Sequence, residues 1–212
     1  MLRVIALCSA AFGLSACGAE SVYAPDEAVA AAHFVAEGPK AITLFTVVNN
    51  RSNSGAHSGL LINASERIMF DPAGTWHHPA VPERNDVHYG ITDKMILFYI
   101  DYHARETFRV QEQTVMVSPE VAEMVAARAK AYGAVPKAQC ANSISSILRG
   151  VPGFENMPAT WFPNKLHDAF AQLFERGLFR FAFDLYVPSL KLLLEGMPEL
   201  VDFDGEHAPG RR

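Results

Sequence analysis

The chain has 212 residues, 50% of them hydrophobic and 19% charged, with a formal net charge of −5. That balance excludes an intrinsically disordered chain. With no basic block anywhere in the sequence, nucleic-acid binding has no support.

The N-terminus reads as a targeting segment. Met1-Leu2-Arg3 carries one positive charge, and Val4 to Leu14 is an apolar run too short to span a bilayer as a mature helix. Leu14-Ser15-Ala16-Cys17 follows where that run ends. It resembles the lipobox of bacterial lipoprotein signal peptides, in which cleavage precedes the cysteine and that cysteine receives lipid. The expected organisation is a signal peptide over 1–16, a lipid anchor and tether over 17–40, one domain over 41–195 with a C-terminal helical extension, and a polar tail over 196–212. Membrane attachment would come through the lipid on Cys17, and the mature protein would face the periplasm from the bacterial cell envelope. An ordinary secretory signal with Cys17 incidental is the plainer alternative.

Ala41 to Val48 is β-rich and reads as a strand, and Asn49 to Gly55 as a loop. His57 to Ala64 and Arg67 to Asp71 read as an antiparallel hairpin, closed by the turn signature Asp71-Pro72-Ala73-Gly74. Thr75 to Tyr89 is an irregular stretch with a brief extended piece near Val87. Asp93 to about Arg105 places Ile96, Tyr99, Ile100 and His103 on one helical face with Asp93 as a cap, although a strand over Ile96 to Ile100 is an alternative. Thr107 to Val117 reads as a strand. Ser118-Pro119-Glu120 opens a helix with Val121, Val125, Ala129 and Tyr132 inward. A further helix starts at Gln139 or Cys140 and ends at Gly150. From Leu166 to Leu185 apolar residues recur at helical spacing, as one core-packing helix or two bent near Gly177, the alternative being a hydrophobic flap against lipid. The expected fold class is α+β, a small antiparallel sheet packed against helices.

Three cysteines are present. Cys8 leaves with the signal and Cys17 takes lipid, so Cys140 has no disulfide partner. An unpaired thiol in an oxidising compartment is either buried or used. Cys140 stands at a helix start, where the helix dipole lowers a thiol pKa. His57 heads an apolar strand, and an imidazole near a thiol can take its proton and return it.

The order of these two segments, His57-Ser58-Gly59-Leu60-Leu61-Ile62 before Gln139-Cys140-Ala141-Asn142, resembles the permuted NlpC-like branch of the papain-like superfamily, which includes lecithin retinol acyltransferase-like proteins. Within it, the stretch from His57 to Gly74 looks most like uncharacterised bacterial lipoproteins. The resemblance covers roughly residues 41–150. It implies a circularly permuted papain-like fold, a Cys140–His57 thiolate–imidazolium pair, and no cofactor. It also implies a polar residue on the strand after the histidine strand. Met69 and Phe70 are apolar there, which leaves Asp71 as the only fit, and a one-residue register shift would turn it away. As a bare turn residue before Pro72, Asp71 needs no further explanation.

His77, His78, His88 and His103, with Glu83 and Asp86, match no zinc-binding spacing and read as loop or rim residues, with no metal site expected. Trp76 either lines a pocket or packs. Two functions follow. One is a lipid-anchored thiol hydrolase or acyltransferase acting on an amide or acyl ester, with a cell-wall peptide or a lipid as substrate. The other is a catalytically inactive binding or structural module on the same fold.

Overall fold

The computed structural model describes residues 19, 21–175 and 180–185. The signal segment, Cys17 and the tail over 196–212 lie outside the described residues. The class is α+β. Among the described residues, seven strands form one sheet in which every pairing is antiparallel. They are β1 (Ala41–Asn49), β2 (Gly55–Asn63), β3 (Arg67–Phe70), β4 (Glu83–Arg84), β5 (Val87–Tyr89), β6 (Phe108–Met116) and β7 (Arg180–Leu185). Their order across the sheet is β4-β5-β3-β2-β1-β6-β7, so the sheet is larger than the small one expected. The helices are α1 (Asp26–Ala31), α2 (Asp93–His103), α3 (Pro119–Tyr132), α4 (Cys140–Leu148) and α5 (Pro163–Glu175).

Both faces of the sheet are covered, which is why the central strand β1 reads as a nearly continuous apolar run and not as an alternation. Ile42 and Leu44 point into a core shared with α3, α4 and α5, where Ala126, Ile144, Leu148 and Phe170 are buried. Phe45 and Val47 point the other way, into a second core with Tyr99 and Ile100 of α2. The period-2 alternation of strand side chains thus assigns each β2 residue to one core. Leu60 and Ile62 go to the first, Leu61 to the second.

Several expectations are corrected. α5 ends at Glu175, and Arg180–Leu185 is a strand paired with β6, not the continuation of a helix. Past Gly177 the apolar positions Phe181, Phe183 and Leu185 alternate, a strand period, and the edge of β6 supplies a ladder to pair with. The cap of α2 is Thr92, whose hydroxyl accepts the Met95 N–H, and Asp93 is the first helical residue. α3 begins as expected at Ser118 with Pro119 next, but its buried face is Ala122, Val125, Ala126 and Ala129. Small residues let α3 lie close to α4 and β2, which leaves Tyr132 39% exposed. His103 stands in the last turn of α2, on the helical face expected for it, and His88 in β5, the extended piece expected near Val87, so the loop or rim reading of these two histidines is the one corrected.

Candidate active site

The β2–β3 register sets Leu60 opposite Phe70 and Leu61 opposite Met69. Carried one pair further, it sets Asp71 beside Gly59, on the same face as His57. The His57 Nε2–H donates to Asp71 Oδ1 at 2.7 Å. The Asp71 side chain is fully buried and His57 is 15% exposed.

Cys140 arrives from the opposite face. α4 packs against β2 from the side of the first core, with Ala141, Ile144, Ile147 and Leu148 buried there. The β3 ladder stops at Phe70, so among the described residues no strand pairs with the stretch of β2 around Ser58 on that side. Cys140 comes to this stretch, where the His57 imidazole and the Ser58 and Ala141 N–H groups act on its thiol. With His57 Nε2 committed to Asp71, Nδ1 is the nitrogen left for the thiol. Cys140 is 6% exposed, and among the described residues it is the free cysteine.

The electrostatics follow from these contacts. Burial works against charge on His57, but the Asp71 carboxylate, by charge and hydrogen bond, and the neighbouring Cys140 thiolate raise it from 6.5 to about 10. Burial opposes ionisation of Asp71 as well, and the His57 imidazolium overrides it and holds the carboxyl well below its ordinary range. At Cys140 burial again resists, and the bond and charge of His57 with the two backbone N–H groups bring the thiol below its usual 9.0. At neutral pH the His57 imidazolium and the Asp71 carboxylate are charged, and the Cys140 thiol is drawn toward ionisation by His57.

Two residues that sequence reasoning did not assign to the site complete it. The Tyr99 hydroxyl donates to Asp71 Oδ1 at 2.8 Å. The His103 ring stacks on that of His57, centroids 5.3 Å apart and planes within 8°. His103 Nδ1 lies 2.8 Å from the Tyr99 carbonyl oxygen, so Nδ1 carries the hydrogen and donates. Burial lowers the His103 pKa, so a neutral ring lies against a charged one. Both were legible as members of one helical face, Tyr99 and His103 being four residues apart, but not as partners of Asp71 and His57.

Two glycines make the approach possible. A Cβ at Gly59 would lie 2.1 Å from the Tyr99 hydroxyl, and one at Gly74 would lie 1.7 Å from Asp71 Oδ2. Trp76 is 4% exposed and packs edge-on against both Tyr99 and His88, so its role is packing.

His57, Asp71 and His103 bring their ligating atoms within 4.8 Å of one another. The 2.7 Å contact between His57 and Asp71 is the length of a charge-assisted hydrogen bond. It is shorter than the roughly 3.3 Å that separates two ligands of a tetrahedral zinc ion with bonds near 2.0–2.1 Å.

Comparison with protein-family models, with curated proteins and with solved structures finds no match to this chain.

Proposed function

We propose that the protein is a thiol enzyme that cleaves or transfers an acyl group from an amide or acyl ester, with Cys140 as nucleophile, His57 as acid and base, and Asp71 orienting the imidazole. The observation that carries this reading is the Asp71–His57–Cys140 line itself. A buried carboxylate holds one ring nitrogen at 2.7 Å, and the other nitrogen is left for a thiol at a helix N-terminus.

The Cys140 thiolate attacks the substrate carbonyl carbon and forms the C–S bond. The oxyanion meets the Cys140 backbone N–H, one of the donors a helix start leaves without an intrahelical partner. His57 then gives its proton to the leaving nitrogen or oxygen, and the carbonyl bond to that atom breaks. Water or an acceptor hydroxyl attacks the thioester, His57 takes the incoming proton, and Cys140 leaves as thiolate.

The order of a histidine strand before a cysteine helix, with an antiparallel sheet packed on that helix, supports a permuted papain-like arrangement of the NlpC-like kind. The Leu14-Ser15-Ala16-Cys17 segment supports a lipid anchor and a cell-envelope setting. The substrate is then a cell-wall peptide amide or a lipid acyl group. The test is incubation with peptidoglycan fragments and with phospholipid vesicles, followed by mass spectrometry for an acyl group on Cys140. A thioester that accumulates with one of the two substrates, and fails to form in Cys140→Ser, supports the reading. Absence of both adduct and product from either substrate speaks against it.

A further inference from the structure

In the sequence Asp86 reads as a loop acid near several histidines. In the structure it is 8% exposed and joins the two halves of the site. It sits in the β4–β5 turn, where Asn85 and Asp86 have φ of 48° and 66°. Asparagine and aspartate tolerate this left-handed region better than most residues. The turn aims its backbone and its side chain at different segments. The Asp86 carbonyl accepts the Asp71 N–H at 2.8 Å. Asp86 Oδ2 accepts the Val135 N–H at 2.7 Å and the Ala73 N–H at 3.4 Å. Ala73 lies in the turn that follows Asp71, and Val135 lies in the connector that delivers Cys140.

That connector contains no helix or strand. Between Tyr132, the end of α3, and Cys140, the start of α4, the chain turns through Gly133 and Ala138, both at positive φ. The Val135 side chain is buried in the first core. Its N–H would be a buried orphan without the Asp86 carboxylate, and an unpaired buried N–H is costly. One carboxylate oxygen therefore ties the loop that carries the orienting acid to the loop that carries the nucleophile.

We propose that Asp86 is a positioning residue of this site, acting as a hydrogen-bond acceptor that fixes the distance between the Asp71 turn and the Cys140 helix start. It touches no reacting atom. The inference rests on the Cys140–His57 reading above. Burial raises the Asp86 pKa, and the Val135 and Ala73 N–H groups oppose that rise.

The experiment is the pH dependence of iodoacetamide alkylation in the full-length protein, followed on the peptide that carries Cys140 by mass spectrometry. Four chains are compared: wild type, Asp86→Ala, Asp86→Asn and Val87→Ala. Asp86→Ala removes both acceptor bonds. Its Cys140 midpoint should rise by about one pH unit, a roughly tenfold loss of thiolate at pH well below the midpoint. Asp86→Asn keeps a carbonyl oxygen on the two N–H groups and should hold the wild-type midpoint. Val87→Ala creates a small cavity in the adjacent strand and should lower thermal stability without moving the midpoint, which separates positioning from general loosening. An unchanged midpoint in Asp86→Ala overturns the proposal, as does a shift of equal size in Val87→Ala. If Asp86→Ala does not fold, Asp86→Asn decides: a wild-type midpoint supports an acceptor role, and a raised one overturns it. A wild-type thiol titrating at the ordinary cysteine value would instead remove the Cys140–His57 reading, and this inference with it.

Discussion

The Tyr99 hydroxyl reaches Asp71 Oδ1 at 2.8 Å by passing over Gly59, where a side chain would stand 2.1 Å from it. The same carboxylate oxygen accepts His57 Nε2–H. A helix on one face of the sheet thereby fixes the acid that orients a histidine on the strand beneath it. On the other face, α4 brings the thiol to that histidine. Each of these contacts can be broken singly.

Tyr99→Phe removes one of the two bonds to a buried carboxylate oxygen and leaves the ring packing intact. A hydrogen bond to a charged group is worth about 1.5–3 kcal/mol, and a loss of that size is expected in urea unfolding. Asp71 keeps His57 as its partner, so the Cys140 alkylation rate should fall only severalfold.

Gly59→Ala inserts a methyl group where the Tyr99 hydroxyl lies. The hydroxyl sits on a packed ring with 0% exposure and has little room to yield. Overpacking of this kind costs about 1–3 kcal/mol. Because the methyl group also forces the Tyr99–Asp71 bond apart, the double variant with Tyr99→Phe should lose less than the sum of the two single losses. Thermal unfolding of the four chains checks this by a double-mutant cycle.

Asp71→Asn removes the charge that holds His57 protonated. The His57 pKa, raised to about 10 in the native site, should fall toward the ordinary 6.5. The ring C–H resonances followed by NMR across pH report this directly. A carboxamide can still accept the Nε2–H, so a His57 pKa that stays near its native value would show that charge is not the cause.

The pH dependence of stability follows from the signs of three shifts. His88 is nearly fully buried and its pKa is lowered by that burial to about 4. A depressed histidine contributes stability that is complete above the unfolded value of 6.5 and lost as pH falls toward 4. His57 has a raised pKa, so its contribution is complete below 6.5 and lost as pH rises through about 10. Cys140 is depressed, so its contribution grows as pH rises from the native midpoint to 9.0 and offsets part of the His57 loss. Wild type should therefore lose stability as pH falls below 6.5 and again as pH rises toward 10, the second loss being shallower over the range below 9.0 in which native Cys140 ionises. In Cys140→Ser that opposing contribution is gone, and the decline from 6.5 upward should be steeper than in wild type. Urea midpoints measured from pH 4 to 10 test both curves.

How much of this was legible depends on whether the signal is local. Cys140 and His57 announced themselves by residue type and context, a thiol before a helical pattern and an imidazole before an apolar strand. Asp71 was legible only as a fit to the strand after the histidine, because its partnership hangs on the β2–β3 register, and a slip of one residue would have faced it away. Tyr99 and His103 showed as one helical face, but periodicity says which side of a helix is buried and not what it meets there. Asp86 reads in the sequence as a loop acid among histidines, and the structure sets it in the β4–β5 turn. That its carboxylate caps the Val135 N–H, 49 residues away, has no sequence signature. The strand at Arg180–Leu185 was hidden for a related reason. Its pairing with β6 is non-local, and the helical spacing of the preceding residues ran on into its alternation.

The direct test of the central claim is the pH profile of Cys140 alkylation in wild type beside His57→Ala, followed on the Cys140 peptide of the full-length chain. The expected result is a wild-type thiolate that titrates below the free-cysteine value of about 8.5, and a midpoint that returns to or above that value without His57. A Cys140 that titrates normally in wild type, or whose midpoint ignores the loss of His57, would contradict the thiolate–imidazolium pair and with it the proposed chemistry.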